Sequence, residues 1–588
     1  MKKTFAILTI ILMSLLFINC KKENKSQDFS AITKGYFDKK NELDPLGATQ
    51  SGQNEYNDKF VYDMTDSYRK KQADFFNKYE KELASVDTMK LSAEEKNSFD
   101  IIKWETGIGK QLLKQNANLM PFQQFWGMHL TMGQYAGGAS GQPFKTEKDY
   151  TNFLKRLDLY SVWVDSAIVY MKKGIQKGVI LPKSLTEKVI PQFADMPTPK
   201  VEDNLFYSSL KLMPSTFSDG VKKDLTAKYT AMINDKLVPQ YKKMTRFLKE
   251  EYLPASRTTS GIGSLPNGKE LYAIYVKQWT TTTMTPEEIH NLGLSEVARI
   301  KQEMEKVKTQ VGFKGTLREF FEDVKNKPEL KPFKKPEEVI ANFETIYQKI
   351  KPNVNKLFAL QPKTKFEIRR TEAFREKTSS AEYNQGTADG TRPGIFYVPI
   401  PDVANYNIYG DEDLFLHEAI PGHHFQLSLQ QENAALPNFR KFIWFGAYGE
   451  GWAMYTESLG KELGLYTDPY QYFGMLGNEM HRAVRLVVDT GLHSKGWTRE
   501  QAIKYSLENE AKSEASIISE IERYMAIPGQ ALSYKIGQLK ISQLRKKAES
   551  KMGDKFDIKM FHEKVLESGV MPLALLEKKI NAWIASSK

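Results

Sequence analysis

The chain has 588 residues, 41% hydrophobic and 27% charged, a balance that excludes a disordered or collagen-like polypeptide. Its formal charge of +12 is spread over many lysines with no block of five or six basic residues, so nucleic acid is a poor partner. A single cysteine excludes any intrachain disulfide and any thiolate-rich metal site, so a metal here must be held by His, Asp and Glu.

Met1-Lys2-Lys3 followed by an apolar stretch from Phe5 to Ile18 reads as a secretory signal, too short to span a bilayer comfortably. It ends in Phe17-Ile18-Asn19-Cys20, a loose lipobox around the only cysteine of the chain. Residues 1–19 are therefore expected to be a lipoprotein signal peptide, and lipid on Cys20 would anchor the exported chain to the bacterial cell envelope. Loss of Lys2 and Lys3 lowers the charge from +12 to +10. The polar run from Lys21 begins a tether assigned to residues 20–54. No other stretch is long and apolar enough to cross a membrane.

Most of the remaining sequence reads as helix. Thr146 with Asp149 makes a capping-box-like start, followed by Tyr150, Phe153, Leu157, Val164, Ile168 and Met171 on roughly one face. Thr285-Pro286-Glu287-Glu288 places Thr at the N-cap, Pro at N1 and Glu at N3, with Ile289, Val297, Ile300 and Met304 at helical spacing. His290 in that helix reads as structural. Ser256 to Gly268 and Lys325 to Glu338 read as connections. The run Ile395-Phe396-Tyr397-Val398 is the clearest strand of the second half. The expected architecture is mainly α with a small β-sheet. A helical lobe over 55–255 precedes a catalytic helical lobe over 256–588.

Five of the eight histidines fall within residues 417–493, where random placement would put about one. At the centre is His417-Glu418-Ala419-Ile420-Pro421-Gly422-His423-His424, entered through Asp411, Glu412 and Asp413 as at a helix start. A zinc-peptidase helix carries H-E-x-x-H because residues four apart bring both imidazoles to one ion, with the Glu as general base. Here the fourth position is Pro421, which cannot ligate. In an undistorted helix His424 would share the face of His417 but sit about 10 Å further along the axis. Either there is no site, or the helix bulges at Pro421-Gly422 and brings His423 round. Thirty-three residues after His417, Glu450 lies between two glycines and offers a third, oxygen ligand, with Glu457 two turns further along the same face.

Arg482, Arg485, Asp489 and His493 follow at helical spacing. They either hold a substrate carboxylate, or orient a metal ligand from behind, or form a buried salt-bridge network. Tyr534 is either a core tyrosine or a phenol placed to stabilise an oxyanion. Tyr397, on the strand, is a candidate substrate contact, since an extended peptide can add to a sheet edge.

The stretches SLPNGKELYAIYV, TMTPEEIHNLGLSEV, TRPGIFYV, HEAIPGHHFQ, GEGWAMYTE, VVDTGLH and PGQALSYKIG together resemble the bacterial domain-of-unknown-function family 885, over about residue 55 to the C-terminus. More remotely the chain is similar to the Glu-zincin peptidases of the thimet oligopeptidase, carboxypeptidase Taq and angiotensin-converting enzyme kinds. That resemblance implies a helical zincin-like fold with a deep central channel. It also implies Zn²⁺ on His417, His423 and Glu450, Glu418 as base and Tyr534 as helper. The two-residue expansion at Pro421-Gly422 departs from the pattern and leaves His423 and His424 as alternatives for the second ligand; dipeptidyl peptidase III carries a one-residue expansion of the same helix. The expected function is a zinc peptidase acting on short peptides. A non-catalytic peptide-binding lipoprotein and a zinc hydrolase of non-peptide bonds are the alternatives.

Overall fold

The computed structural model describes residues 28–138, 141–372, 376, 379–387 and 392–587. The signal segment, Cys20 and the first residues of the expected tether lie outside the described residues. Among the described residues the protein is mainly α with one three-stranded sheet. No described helix is long and apolar enough to cross a membrane.

Helix α1 (Phe29–Leu43) opens the chain, capped by the Asp28 carboxylate, which accepts from the Ser30 N–H at 3.0 Å. It corrects the expected tether. Phe29, Ile32, Tyr36 and Phe37 recur at helical spacing and are buried. The Tyr36 ring packs edge-on against Tyr79 and Phe439, at centroid distances of 5.0 and 5.6 Å. From residue 29 onward the chain is therefore part of the core.

Helices α2 (Asp66–Ala84) and α3 (Ala93–Leu113) pack on one another, and Phe75, Tyr79, Leu83, Ile101 and Ile102 join the larger of two apolar cores. Apart from the buried face of α1 and Leu185, the rest of that larger core runs from Ile262 to Ile584. The smaller core draws on Leu46 and Met64 and then on residues from Leu119 to Tyr252, centred on helix α4 (Glu147–Lys177). Thr146 and Asp149 form the capping box that opens α4. The smaller core ends near the expected boundary at residue 255, but α1 to α3 belong mostly with the larger one.

Helices α5 (Gly268–Thr280), α6 (Pro286–Gln310) and α7 (Pro336–Leu357) follow, α6 opening on the Thr285/Glu288 box. The sheet then forms from β1 (Phe366–Arg370), β2 (Glu382–Asn384) and β3 (Gly394–Val398), in the order β1-β3-β2. Strand β3 pairs parallel with β1 and antiparallel with β2, so Tyr397 lies between Arg369 and Glu382. This corrects one expectation. The strand carrying Tyr397 is central, and its backbone hydrogen bonds are already used on both edges, so no peptide can add to it.

Beyond the sheet run α8 (Asp411–Glu418), α9 (His423–Glu432), α10 (Gly446–Glu457), α11 (Pro469–His493), α12 (Glu514–Ala526) and α13 (Ser533–Met552). Helices α10 and α13 cross with their backbones in contact. A β-carbon on Gly537 would lie 1.9 Å from the Ala447 carbonyl oxygen and 2.6 Å from the Gly451 α-carbon. Nothing larger than hydrogen fits there. A cavity of about 560 Å³ opens along α8 and α11.

Gly537→Val should therefore destabilise the fold by about 1–3 kcal/mol or more, read as a lowered thermal midpoint. A variant that melts with the wild type would contradict the backbone contact.

Candidate metal centre

Three buried carboxyl groups anchor the first turn of α8. Asp411 accepts from Asn342 Nδ2 at 2.7 Å and from the Tyr406 hydroxyl at 2.8 Å. Glu412 accepts from the Tyr466 N–H at 2.7 Å, and Asp413 from Asn478 Nδ2 at 2.6 Å. Burial lifts the Asp411 carboxyl to about 8 and the Asp413 carboxyl well above the carboxylate range. Acidic residues at a helix start are ordinary; here they also pin α8 to α7 and α11.

Helix α8 ends at Glu418. The expected bulge is in fact a break: Ala419 leaves the helical region, the Ile420–Pro421 peptide is cis, and a new helix, α9, starts at His423. Two contacts hold the break. The Trp452 indole N–H of α10 donates to the Pro421 carbonyl at 2.9 Å. At Gly422 a β-carbon would lie 2.0 Å from the His417 carbonyl oxygen and 2.3 Å from that of Leu416, so only glycine lets the chain fold back so closely.

The break aims His423 and His424 in different directions. His423 turns back to His417, with ring centroids 4.8 Å apart and planes at 89°. His424 turns to the sheet, where its Nδ1 meets the Tyr383 hydroxyl at 2.9 Å and its ring packs on Phe366. Burial pushes the His424 imidazole down to about 4. His424 is thus removed as the alternative ligand.

Helix α10 supplies two carboxylates seven residues apart, hence on one face. Glu450 Oε2 stands 3.7 Å from His417 Nε2 and 3.4 Å from His423 Nε2. Glu457 Oε1 stands 2.6 Å from His417 Nδ1. Together His417, His423 and Glu450 offer three ligand atoms within 4.8 Å of one another, the one such grouping among the described residues. The donor set fits zinc. A tetrahedral ion with ligand bonds of about 2.0–2.2 Å separates neighbouring ligand atoms by about 3.3–3.6 Å. Two imidazoles and a carboxylate leave the fourth position open, the pattern of catalytic sites. The Glu457 bond fixes the proton of His417 on Nδ1 and turns Nε2 toward the site.

Without an ion, His417 and Glu450 form a proton-sharing pair. Burial lowers the affinity of His417 for its proton, but the Glu450 and Glu457 carboxylates outweigh it and hold the imidazole up at about 10. Burial works against Glu450 too, yet the two histidines hold its carboxyl well below the usual range. A metal must displace that proton.

Glu418, next to His417, is half-buried at the rim of the cluster, and burial raises its carboxyl against the pull of His417 and His423. Tyr534, on α13 one turn before Gly537, is brought beside Glu450 by the glycine crossing; burial and then the Glu450 charge raise its phenol. The guanidinium groups of Arg482 and Arg485 stack on the Tyr534 ring at 5.6 and 4.6 Å. Arg485 is largely consumed by structure, bonding Glu520 at 2.9 Å and the Tyr524 hydroxyl at 3.0 Å. The buried-network alternative therefore holds for Arg485. The cavity of about 560 Å³ is lined by Asp411 and Leu414 of α8 and stops a turn short of Glu418; none of the three ligands lines it.

His493 is a correction. It is 1% exposed, its Nδ1 accepts from the Ile262 N–H at 3.0 Å, and its Nε2 donates to the Tyr524 carbonyl at 3.0 Å. Burial pushes it down to about 3. With both nitrogens committed to backbone it can neither carry a substrate proton nor bind a ligand. Asp489, a turn earlier, accepts from Tyr272 and from the Gly529 N–H and ties α11 to α5 and to the turn before α13. Two residues near the site went unassigned in the sequence. Trp444, 43% exposed, faces His423 at 6.2 Å, and Lys512 lines the cavity. An aromatic just before Gly446 and a lysine between two helices carry no sequence signature for such placements.

Three outcomes are expected. Glu457→Gln should weaken zinc binding roughly 10–100-fold in metal titrations while the fold survives, whereas His424→Gln should leave zinc stoichiometry intact. Zinc binding at pH 7 should release a proton, because His417 is protonated below its metal-free value of about 10 and ligates only when neutral. Affinity should then rise with pH, and calorimetry in buffers of different ionisation enthalpy should give different apparent heats. Equal heats would contradict a protonated His417 in the metal-free protein.

No protein of curated function matches the chain. Solved structures do, among them two of proteins described as lipoproteins. One is of a protein from Colwellia psychrerythraea described as a "putative lipoprotein", 28% identical, with a TM-score of 0.85 over 95% of this chain and 99% of that one. The other, from Shewanella oneidensis, is described as a "putative lipoprotein of unknown function"; it is 20% identical with a TM-score of 0.70 over 94% of this chain and 99% of that one, a likeness of fold. The sequence model described as "Bacterial protein of unknown function (DUF885)" matches residues 45–580, and the chain belongs to that family.

Proposed function

We propose that the protein is a zinc-dependent peptidase of the bacterial cell envelope. The observation that carries this reading is the cluster of His417, His423 and Glu450, with Glu457 behind His417 and Glu418 at the rim. Zinc on those three residues would supply Lewis acidity, polarising a water and the scissile carbonyl. Glu418 takes the proton of the attacking water; its burial makes it a stronger base than an exposed carboxylate. The same carboxyl then returns that proton to the departing amine. The Tyr534 phenol donates to the oxyanion as it develops, and the guanidinium groups stacked on its ring sharpen it as a donor.

Among the described residues strand β2 stands at one end of the sheet order, and it lies beside α9 through the Tyr383–His424 contact. An extended peptide would add there rather than on β3. Trp444 offers a half-exposed aromatic wall for a substrate side chain close to His423. Anchoring through lipid on Cys20 accords with the descriptions of both structural neighbours.

Metal analysis of the mature protein should give about one zinc per chain, and a peptide-library digest read by mass spectrometry should show cleavage that a chelator abolishes. Glu418→Gln should keep the zinc and lose activity by roughly 10²–10⁴-fold. Full activity in that variant, or a wild type that binds no zinc, would refute the reading.

A further inference from the structure

Basic side chains gather where α11, α12 and the segment joining α12 to the preceding helix meet. Most are paired. Lys535, fully buried, binds Glu479 at 2.6 Å and Glu296 at 3.0 Å. Arg523 and Arg485 share Glu520, each at 2.9 Å. The remaining carboxylate there, Glu510, is taken by His481.

Arg482 and Lys512 are left over. Among the described residues neither makes an ion pair or a hydrogen bond, although both are partly buried and Arg482 Nε is sealed from solvent without a partner. Beside them Nη1 of Arg485, a residue 6% exposed, is buried and unpartnered as well. Desolvated cations and orphaned guanidinium N–H groups carry a free-energy cost that an anionic ligand would relieve. Burial already pushes the Lys512 ammonium down to about 8, with Arg482 and Arg485 adding to the effect against Glu510.

The position of these groups says what the anion belongs to. Lys512 and Asn478 line the cavity of about 560 Å³, as does Leu414. Glu418 is four residues beyond Leu414 on α8, and Arg482 four beyond Asn478 on α11, each about 6 Å further along its helix. Cavity, base and unpaired arginine thus follow one another, and Arg482 lies over the ring of Tyr534.

We propose that Arg482 and Lys512 form a carboxylate subsite that takes the C-terminal carboxylate of a peptide whose scissile bond lies at Glu418 and Tyr534. This rests on the peptidase reading and narrows it: the substrates are peptides with a free C-terminus, cut near that end. Arg485, held by Glu520, keeps the arginine pair in place over Tyr534.

The test uses the full mature chain carrying Glu418→Gln, loaded with zinc, so that peptides bind without being cut. Three probes are titrated: Ala-Ala-Ala as the free acid, Ala-Ala-Ala amide, and Ala-Asp-Ala amide. The free acid should bind about tenfold or more tightly than either amide. Adding Arg482→Gln or Lys512→Gln should each weaken the free acid by about tenfold, and the pair together should erase the preference, with zinc content and amide binding unchanged. Equal binding of all three probes, no binding of any, preference for the aspartyl amide, or a preference that survives loss of both cations would overturn the subsite. A terminal-carboxylate preference in a protein whose wild type cuts no peptide would uphold the subsite and sink the peptidase reading alone.

Discussion

His417 is clasped from both sides by one helix. Glu457 takes its Nδ1 and Glu450 faces its Nε2, and the seven-residue spacing of the two carboxylates equals two turns of α10. Contacts from α10 then place the neighbouring elements around that pair. The Gly451–Gly537 crossing lets α13 press against α10, which delivers Tyr534 to Glu450. The Trp452 bond to Pro421 and the tight fold at Gly422 start α9 where His423 can complete the cluster. A buried carboxylate pair around a histidine is costly alone, since both charges are taken from water. A proton, or a divalent ion in its place, would turn that cost into attraction, which is why a cation suits the cluster.

The electrostatic design continues away from the ligands. Around α8 the acids are buried and largely neutral or hydrogen-bonded, while α11 and the segment before α12 hold two cations, Arg482 and Lys512, that no carboxylate among the described residues pairs. Arg482 acts on the Glu418 carboxyl and lies over the ring of Tyr534. A peptide end fits that polarity, with its carbonyl at the cluster and its carboxylate beyond.

Much of this was legible in the sequence, for local reasons. Thr146 and Thr285 announce their helices because a capping box needs only residues three apart. The strand around Phe396 is legible from its β-branched and aromatic run. His417, Glu418 and Glu450 stand out because catalytic zinc sites draw on few residue types. What stayed hidden depends on contacts distant in sequence. The choice of His423 over His424 is made by a helix break that Trp452 secures from thirty-one residues away. The central place of Tyr397 in its sheet is a matter of which strands pair. His493 shares the helical spacing of Arg482 and Arg485, but its partners, Ile262 and Tyr524, come from other elements. Phe29 to Phe37 looked like tether because a lone apolar face is recognisable only once Tyr79 and Phe439 are seen against it.

Anomalous diffraction at the zinc edge, on crystals of the mature protein, tests the central claim most directly. A single peak is predicted within about 2.0–2.2 Å of His417 Nε2, His423 Nε2 and a Glu450 oxygen, with Glu457 outside the coordination sphere. Absence of a peak at that cluster, or an ion bound through His424, would contradict it.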